Sequence, residues 1–172
     1  MTYNYYHSVP IKLTKADSVA LSKLHGKSVL VLGATGIIGR ALEHILTDFS
    51  TGLGYVINVT LAGKSSPSRI PEARQNLSRV YGDVGDQNFI AKLSEYDFVI
   101  LGAGYGQPAE FERDRSSTIL VNTSSVIELS KHAREGVLFL STSEIYSGYE
   151  GEVSEDSSCL VDTRHPRAAY IY

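Results

Sequence analysis

Three evenly spaced glycines are the strongest candidate for a chemical site in this sequence. Gly33, Gly36 and Gly39 follow an apolar run, residues 29–32, at the spacing G-x-x-G-x-x-G. The run predicts a short buried strand, and apolar residues that then recur at helical intervals predict a helix over residues 37–49. Glycines at such a turn permit close approach of a pyrophosphate, to which the helix N-terminus offers N–H groups. The spacing therefore predicts a dinucleotide-binding loop, the alternative being a glycine-rich turn that binds nothing.

The end of the next predicted strand, residues 56–62, bears on which dinucleotide would bind. An acidic residue at this place usually holds the hydroxyls of the adenosine ribose. Here no acid follows the strand, and the segment after it contains Lys64, Ser65, Ser66 and Arg69. These side chains would hold a 2′-phosphate, which favours NADP, or they form a solvated basic loop. Both interpretations stay open from the sequence.

The ends of two further predicted strands carry residues suited to the rest of a dinucleotide. Asp83 follows the third strand and would accept a hydrogen bond from an adenine amino group, while the N–H of Val84 would serve a ring nitrogen. Gly102, Ala103 and Gly104 follow the fourth strand. Residues this small would let the cofactor lie against the strand ends.

Strands and helices alternate along the chain, and this alternation sets the architecture that positions those residues. Short, continuously apolar strands separated by amphipathic helices predict an α/β fold with a doubly wound parallel sheet. The predicted strands are residues 29–32, 56–62, 79–81, 97–101 and 137–140, and the predicted helices are residues 37–49, 72–77, 87–93 and 118–132.

Residues 1–26 precede the first strand and are predicted to form an N-terminal extension. Thr14 and Asp17 have the spacing of a capping box with Asp in place of Glu, and Gly26 would end the helix that follows. We expect this short helix to pack on the nucleotide domain or on a partner subunit, without a chemical role. Residues 27–172 then form one dinucleotide-binding domain.

The composition argues against several other classes of protein. The chain has 172 residues and a formal net charge of −3, which gives no electrostatic case for binding nucleic acid or an anionic membrane. No apolar run approaches the ~20 residues of a membrane span, and the N-terminus shows no secretory signal. Cys159 is the only cysteine, so a reducing, cytoplasmic setting fits. The histidines lack ligand-like spacing, so no metal site is expected.

Together these motifs resemble the extended short-chain dehydrogenase/reductase family, the NAD(P)-dependent nucleotide-sugar epimerases and dehydratases. The resemblance rests on G-A-T-G-I-I-G in the first loop, G-D-V-G-D at residues 82–86, G-A-G at residues 102–104, the helical Asn122 and S-T-S-E-I-Y at residues 141–146. It implies a Rossmann domain that binds NAD or NADP. By this resemblance, the cofactor-binding residues are Gly33, Thr35, Gly36, Ile37, Ile38, Gly39, Lys64, Ser65, Asp83, Val84, Gly102, Ala103, Gly104 and Asn122.

The resemblance also implies a set of catalytic residues. The family's Y-x-x-x-K pair places its tyrosine at Tyr170, and its lysine would fall just past the last residue. Tyr170 would act as base toward a sugar 4-hydroxyl, because a lysine ammonium and the positive nicotinamide ring lower a phenol pKa that is ordinarily about 10. Thr142 would donate or relay a hydrogen bond to the same oxygen, and Glu144 would act on the sugar. Ser143 and Arg167 would contact the substrate.

Two strings narrow the reaction further. S-T-S-E-I-Y at residues 141–146 is similar to a string of UDP-glucuronate decarboxylases and GDP-mannose 4,6-dehydratases, and P-R-A-A-Y at residues 166–170 to one of the decarboxylases. In a dehydratase, Glu144 would take the C5 proton of a 4-keto sugar as water leaves; in a decarboxylase, Glu144 and Ser143 would position the carboxylate that is lost as carbon dioxide. Epimerisation stays open. The alternatives are an NADPH-dependent sugar reductase and a non-catalytic dinucleotide-binding module.

The resemblance implies a smaller C-terminal domain that closes over the nucleotide sugar, and we expect it to lie outside these 172 residues. We therefore expect the 172-residue chain to be truncated after its catalytic tyrosine, to bind cofactor and to turn over no nucleotide sugar. The family commonly dimerises through the helix of the catalytic tyrosine and the helix before it. A homodimer is accordingly a hypothesis for the full-length protein.

Overall fold

The computed structural model describes residues 14–64, 75–104, 112–165 and 168 of the chain, and it contains one five-stranded parallel sheet in the order β3-β2-β1-β4-β5. The strands are β1 (Ser28–Leu32), β2 (Asn58–Gly63), β3 (Leu77–Tyr81), β4 (Tyr96–Leu101) and β5 (Ala133–Phe139). The helices are α1 (Lys15–Ser22), α2 (Ile37–His44), α3 (Ser50–Gly52), α4 (Gln87–Ile90), α5 (Arg115–Asn122) and α6 (Ser124–Ser130), with a π-helical turn (Ile45–Phe49) between α2 and α3 and a 3₁₀ helix (Ser143–Tyr146) after β5. Among the described residues, no helix combines the length and the apolar character needed to cross a bilayer.

β1 lies at the centre of the sheet and is buried on both faces. Successive side chains of a strand point to opposite faces, so Leu30 and Leu32 join one apolar cluster while Val29 and Val31 join another. Helices complete both clusters, through Ile90, Val121 and Leu129 on the first face and Leu21 and Leu46 on the second. Burial on both faces is typical of a parallel sheet and explains the continuous apolar runs in the sequence. The predicted doubly wound α/β fold is confirmed.

The winding of the sheet reverses at β1. β2 and β3 lie on one side of it, and β4 and β5 lie on the other. Because the strands are parallel, their carboxyl ends share one edge, and the reversal opens a crevice between the ends of β1 and β4. The Gly102 N–H, just after β4, donates to the Leu32 carbonyl at the end of β1 (3.0 Å). Residues that follow these strand ends are therefore held close together.

One predicted helix, over residues 118–132, is in fact the two helices α5 and α6. They are separated at Thr123, which has φ −127° and ψ −81°. The Asn122 amide donates to the Thr118 carbonyl and the Thr123 hydroxyl donates to the Ile119 carbonyl, both at 2.7 Å. Side chains that bond carbonyls of their own helix offer the backbone an alternative to a continued helix. The apolar periodicity of the sequence does not indicate where such side-chain hydrogen bonds interrupt a helix.

Other element boundaries differ from the prediction where an element contains polar residues and therefore lacks an apolar pattern. α5 begins at Arg115, three residues before the predicted helix, because Asp114 caps it by accepting from the Ser117 N–H (3.0 Å). β5 begins at Ala133 rather than at residue 137, since its polar first half pairs with β4 without an apolar pattern. Leu77 lies in β3 and not in the predicted helix 72–77, whose residues 72–74 fall outside the described ranges.

α1 has the capping box expected from the sequence. Thr14 Oγ1 accepts from the Asp17 N–H (3.2 Å), and Asp17 Oδ2 accepts from the Thr14 N–H (2.7 Å). Leu21 is buried in the second apolar cluster of the sheet. Gly26 follows with φ +76°, and its N–H donates to the Val56 carbonyl (2.8 Å). The helix thus packs on the nucleotide domain, while the division of the chain into two units at residue 26 stays a prediction.

Asp97 joins the amino end of β4 to that of β1, at the edge of the sheet opposite the glycine loop. Its Oδ2 accepts from the Ser28 N–H (2.7 Å) and hydroxyl (2.9 Å), and its Oδ1 accepts from Arg134 Nε (3.1 Å). These bonds, the Ser28 N–H first, hold the pKa of the Asp97 carboxyl below its usual value. A depressed folded-state pKa adds stability that is present above the unfolded-state pKa of about 4 and is lost as the pH falls through the folded-state pKa.

We therefore expect Asp97→Asn to lower the urea midpoint near neutral pH and to lose this effect as the solution is acidified. Urea unfolding of both proteins at about pH 7 and about pH 3 measures the difference. Glu95→Gln, at an exposed carboxylate, is the matched control and should leave the midpoint nearly unchanged. A gap between wild type and Asp97→Asn that is equally wide at both pH values would contradict this role.

Candidate functional site

The glycine loop lies where β1 ends and α2 begins, as predicted. Gly33 has φ +84°, and a Cβ on it would lie 2.7 Å from the backbone of Gly102 and of Ala103. A Cβ on Gly39 would lie 2.3 Å from the Gly33 carbonyl oxygen. Gly36 is the N-cap of α2 and has no side chain to occupy the N–H groups of the first turn. The N–H groups of Gly33 and Gly36 are bonded to the Ala62 and Gly33 carbonyls. The first turn of α2 therefore supplies the N–H groups and the positive dipole end at the crevice.

A cavity of about 260 Å³ opens at the carboxyl ends of the strands. The predicted binding residues in its lining are Gly33, Thr35, Gly36, Lys64, Asp83, Val84, Gly102, Ala103 and Gly104. The sequence analysis missed the other lining residues, which are Leu32, Ala62, Gly63, Gly82, Phe89 and Val121. Most of these end a strand or follow one directly, so position after a predicted strand is the signal that would have found them. The sheet brings the predicted residues together, and their binding role stays a prediction.

The lining fits a dinucleotide. Backbone N–H groups in the first turn of α2 suit a pyrophosphate, and the glycines leave room for it. A Cβ on Gly102 would lie 2.9 Å from the Leu140 side chain, and one on Gly82 would lie 2.1 Å from the Phe89 ring. Larger residues at these positions would therefore disturb the walls of the cavity. Asp83, predicted to accept from an adenine amino group, lies in the same lining.

Lys64 and Asp83 form an ion pair at the cavity. Lys64 Nζ lies 2.9 Å from Asp83 Oδ2, and the two side chains are 57% and 45% exposed. Asp83 Oδ1 accepts from the Gly85 N–H (2.9 Å), which fixes the carboxylate in its loop. Burial raises the pKa of the Asp83 carboxyl, but the Lys64 ammonium and the Gly85 N–H together lower it further, so the pKa lies below its usual value. Asp83 is therefore ionised at neutral pH.

Four of the predicted binding residues lie outside this lining. Ile37 and Ile38 begin α2 with side chains 75% and 53% exposed, so only their backbone N–H groups suit a phosphate. Gly39 is buried and lets the helix approach the loop closely. The Asn122 amide is bonded within α5 to the Thr118 carbonyl. A fifth predicted residue, Ser65, lies outside the described residues.

The turn after β5 carries the predicted hydroxyl and carboxylate. The Leu140 N–H donates to the Leu101 carbonyl (3.2 Å), which holds the start of this turn beside the end of β4. Ser141 has φ +49°, a left-handed conformation that non-glycine residues seldom adopt and that is frequent at functional sites. Thr142 Oγ1 then accepts from the Glu144 N–H (3.3 Å) and caps the 3₁₀ helix. The turn thus fixes the Thr142 hydroxyl relative to Glu144.

The remaining predicted substrate and catalytic residues are only partly described. Ser143 is exposed at the start of the 3₁₀ helix. Glu144 Oε1 lies 3.8 Å from His165 Nε2, a contact the sequence analysis missed because a long loop separates the two residues. Tyr170 and Arg167 lie outside the described residues. Within the ranges that the structure describes, no three His, Cys, Asp or Glu side chains are grouped as a metal site requires.

Several solved structures are similar to this chain. They include an epimerase from Methanothermobacter thermautotrophicus (TM-score 0.68, 20% identity), MoeE5 in complex with UDP-glucose and NAD (TM-score 0.64, 22% identity) and a UDP-N-acetylglucosamine 4-epimerase from Methanobrevibacter ruminantium (TM-score 0.63, 20% identity). The matches cover 91%, 84% and 84% of this chain but only 48%, 45% and 47% of those proteins, so it spans about half their length. Such low identity shows a shared fold alone. No curated protein sequence matches the chain.

A family model provides the stronger comparison. It describes the NAD-dependent epimerase/dehydratase family and matches residues 29–172. That range includes the glycine loop, the strand ends that line the cavity and the turn after β5. The resemblance found in the sequence motifs is thereby confirmed. The chain belongs to the NAD-dependent epimerase/dehydratase family.

Proposed function

We propose that this chain is the cofactor-binding part of an NAD(P)-dependent enzyme that modifies a nucleotide sugar through a 4-keto intermediate. The proposal depends mainly on the glycine-lined cavity at β1, where the winding of the sheet reverses. The turn of residues 142–144, which follows β5 beside β4, adds to it. Similar structures support the substrate class. One was solved with UDP-glucose and NAD, and another is a UDP-N-acetylglucosamine 4-epimerase.

In this proposal, the backbone of the chain holds most of the cofactor. N–H groups of Ile37 and Ile38, in the first turn of α2, would bind the pyrophosphate. Asp83 would accept from the adenine amino group, and Gly102 would leave space beside the end of β4. When bound, the nicotinamide supplies the redox chemistry by accepting a hydride from the sugar and returning it.

The side chains of the turn after β5, together with Tyr170, would handle protons. Thr142 Oγ1 accepts from the Glu144 N–H, so the Thr142 hydroxyl proton can be donated to the sugar 4-oxygen. Tyr170 would take the proton of the 4-hydroxyl, which requires a neighbouring positive charge that lowers the phenol pKa. Glu144 would remove the C5 proton in a dehydratase, or position the departing carboxylate in a decarboxylase. Ser143 is a poor general acid, which disfavours a dehydratase that needs an acid at that place.

An NADPH-dependent sugar reductase is the second candidate. One observation favours it, namely the cation of Lys64 at the end of β2, where an acid would suit the ribose hydroxyls of NAD. A reductase would consume NADPH in stoichiometric amounts. An enzyme that returns the hydride to the sugar would not.

Turnover by the protein at its natural length separates these functions. The protein is supplied with NAD or NADP and with UDP- or GDP-linked sugars, and the products are analysed by mass. Loss of water indicates a dehydratase, loss of carbon dioxide a decarboxylase, unchanged mass with altered stereochemistry an epimerase, and net uptake of hydrogen from NADPH a reductase. Cofactor binding without a product from any sugar would contradict the enzyme and favour a non-catalytic module. The 172-residue chain, assayed in parallel, is expected to form no product.

A further inference from the structure

The cavity contains an ion pair at the place that distinguishes NAD from NADP. Lys64 follows β2, and its Nζ lies 2.9 Å from Asp83 Oδ2, after β3. An acid after β2 would accept from the 2′-hydroxyl of the adenosine ribose. In this chain a cation follows β2, and among the described residues that line the cavity the neighbouring strand end supplies a carboxylate, Asp83.

Asp83 and a 2′-phosphate would compete for the same ammonium. Oδ1 of Asp83 is held by the Gly85 N–H (2.9 Å), which fixes the carboxylate. Lys64 has the longer side chain with more rotatable bonds. Both side chains are about half-exposed, and exposed ion pairs are weak enough to be exchanged for another anion. A phosphate beside Lys64 would also be repelled by the Asp83 carboxylate.

A second carboxylate lies within electrostatic reach of Lys64. The pKa of Asp114, at the N-terminus of α5, lies below its usual value chiefly because of the Ser117 N–H, with Arg113 and Lys64 as weaker causes. Lys64 is thus paired with Asp83, after β3, and is attracted more weakly by Asp114, the N-cap of α5. This surrounding charge weakens the preference for a phosphorylated ribose that an isolated lysine would create.

We infer that Asp83 sets the cofactor preference of this site, by holding Lys64 when NAD is bound and releasing it to the 2′-phosphate when NADP is bound. The inference depends on the dinucleotide binding proposed above. It predicts that the site accepts both cofactors, with Asp83 limiting the affinity for NADP. Asp83→Asn should therefore favour NADP, although it removes a residue of the binding site, because the amide oxygen still accepts from the Gly85 N–H.

Calorimetric titration of the chain with NAD and with NADP tests this inference. For the wild type, we expect the dissociation constants for NAD and NADP to lie within about tenfold of each other. Lys64→Met should weaken NADP binding by about tenfold and change NAD binding little. Asp83→Asn should raise the affinity for NADP relative to NAD by about threefold to fivefold. Lys23→Met, at an exposed lysine beside α1, is the matched control and should change neither affinity.

Several results would overturn the inference. If Asp83→Asn weakens NADP binding as Lys64→Met does, Asp83 positions Lys64 for the 2′-phosphate instead of competing with the phosphate for it. Equal changes in the affinities of Asp83→Asn for NAD and for NADP would likewise exclude a role of Asp83 in choosing between the two cofactors. Should Asp83→Asn fail to fold, Asp83→Ser takes its place, because its hydroxyl removes the charge and can still accept from the Gly85 N–H; it must shift the preference toward NADP in the same way. Binding of neither cofactor by wild type would contradict the proposed function itself, whereas binding of NAD alone would contradict only this inference.

Discussion

Replacement of Gly39 by alanine is expected to destabilise the fold by about 3 kcal/mol. The added Cβ would lie 2.3 Å from the Gly33 carbonyl oxygen and 2.6 Å from Ala34 Cα. Both neighbours are backbone atoms, so no side chain can rotate away, and α2 must move from the end of β1. The free energy of unfolding, obtained from urea titration, measures the cost.

Gly52→Ala is the matched control for this substitution. Gly52 ends α3, and a Cβ on it would meet nothing within 4 Å. Alanine is a better helix former than glycine, so Gly52→Ala should leave the stability unchanged or raise it by about 0.5 kcal/mol. Equal stabilities for Gly39→Ala and wild type would show that α2 does not pack on the loop as described.

Replacement of Gly33 by alanine is expected to weaken NAD binding by about a hundredfold, in addition to a loss of stability. Gly33 has φ +84°, and its Cβ would lie 2.7 Å from the backbone of Gly102 and Ala103. The loop would have to move away from the end of β4, which displaces the N–H groups expected to bind the pyrophosphate. Calorimetry under conditions where both proteins are folded measures the change in affinity.

Gly26→Ala separates backbone strain from displacement of the loop. Gly26 has φ +76°, similar to Gly33, but a Cβ on it would meet nothing within 4 Å. It precedes β1 and so lies at the edge of the sheet opposite the cavity. Gly26→Ala should therefore cost about 1–2 kcal/mol of stability and leave NAD affinity unchanged. Equal affinities for Gly33→Ala and wild type would contradict the assignment of the loop to the pyrophosphate.

The sequence predicts the fold well because its strongest signals are local. The apolar run before Gly33 is a central strand with both faces covered, so burial is encoded as continuous hydrophobicity. Gly36 and Gly39 also meet backbone within the same turn, whereas Gly33 meets Gly102 and Ala103 at the distant but neighbouring end of β4. Elements without an apolar pattern were missed, including the first half of β5, which is held by pairing with β4.

The site was less predictable because its contacts join distant parts of the chain. Lys64 was interpreted as a phosphate ligand or a solvated lysine, and its pairing with Asp83 depends on β2 and β3 being neighbours. The approach of His165 to Glu144 depends on the path of a long loop. Asn122 has a motif position that the resemblance assigns to the cofactor, yet its amide is bonded within its own helix. Residue type and spacing do not determine such contacts.

The central claim is that the glycine-lined cavity at the carboxyl edge of the sheet binds NAD. A titration of the ¹⁵N-labelled chain with NAD, followed through its backbone amide resonances, tests this claim most directly. We expect the amides of Gly36, Ile37, Ile38 and Gly102 to shift, while those of Ser28, at the opposite edge, stay in place. Saturating NAD that shifts no amide of the glycine loop, or shifts amides only at the opposite edge, would contradict the account.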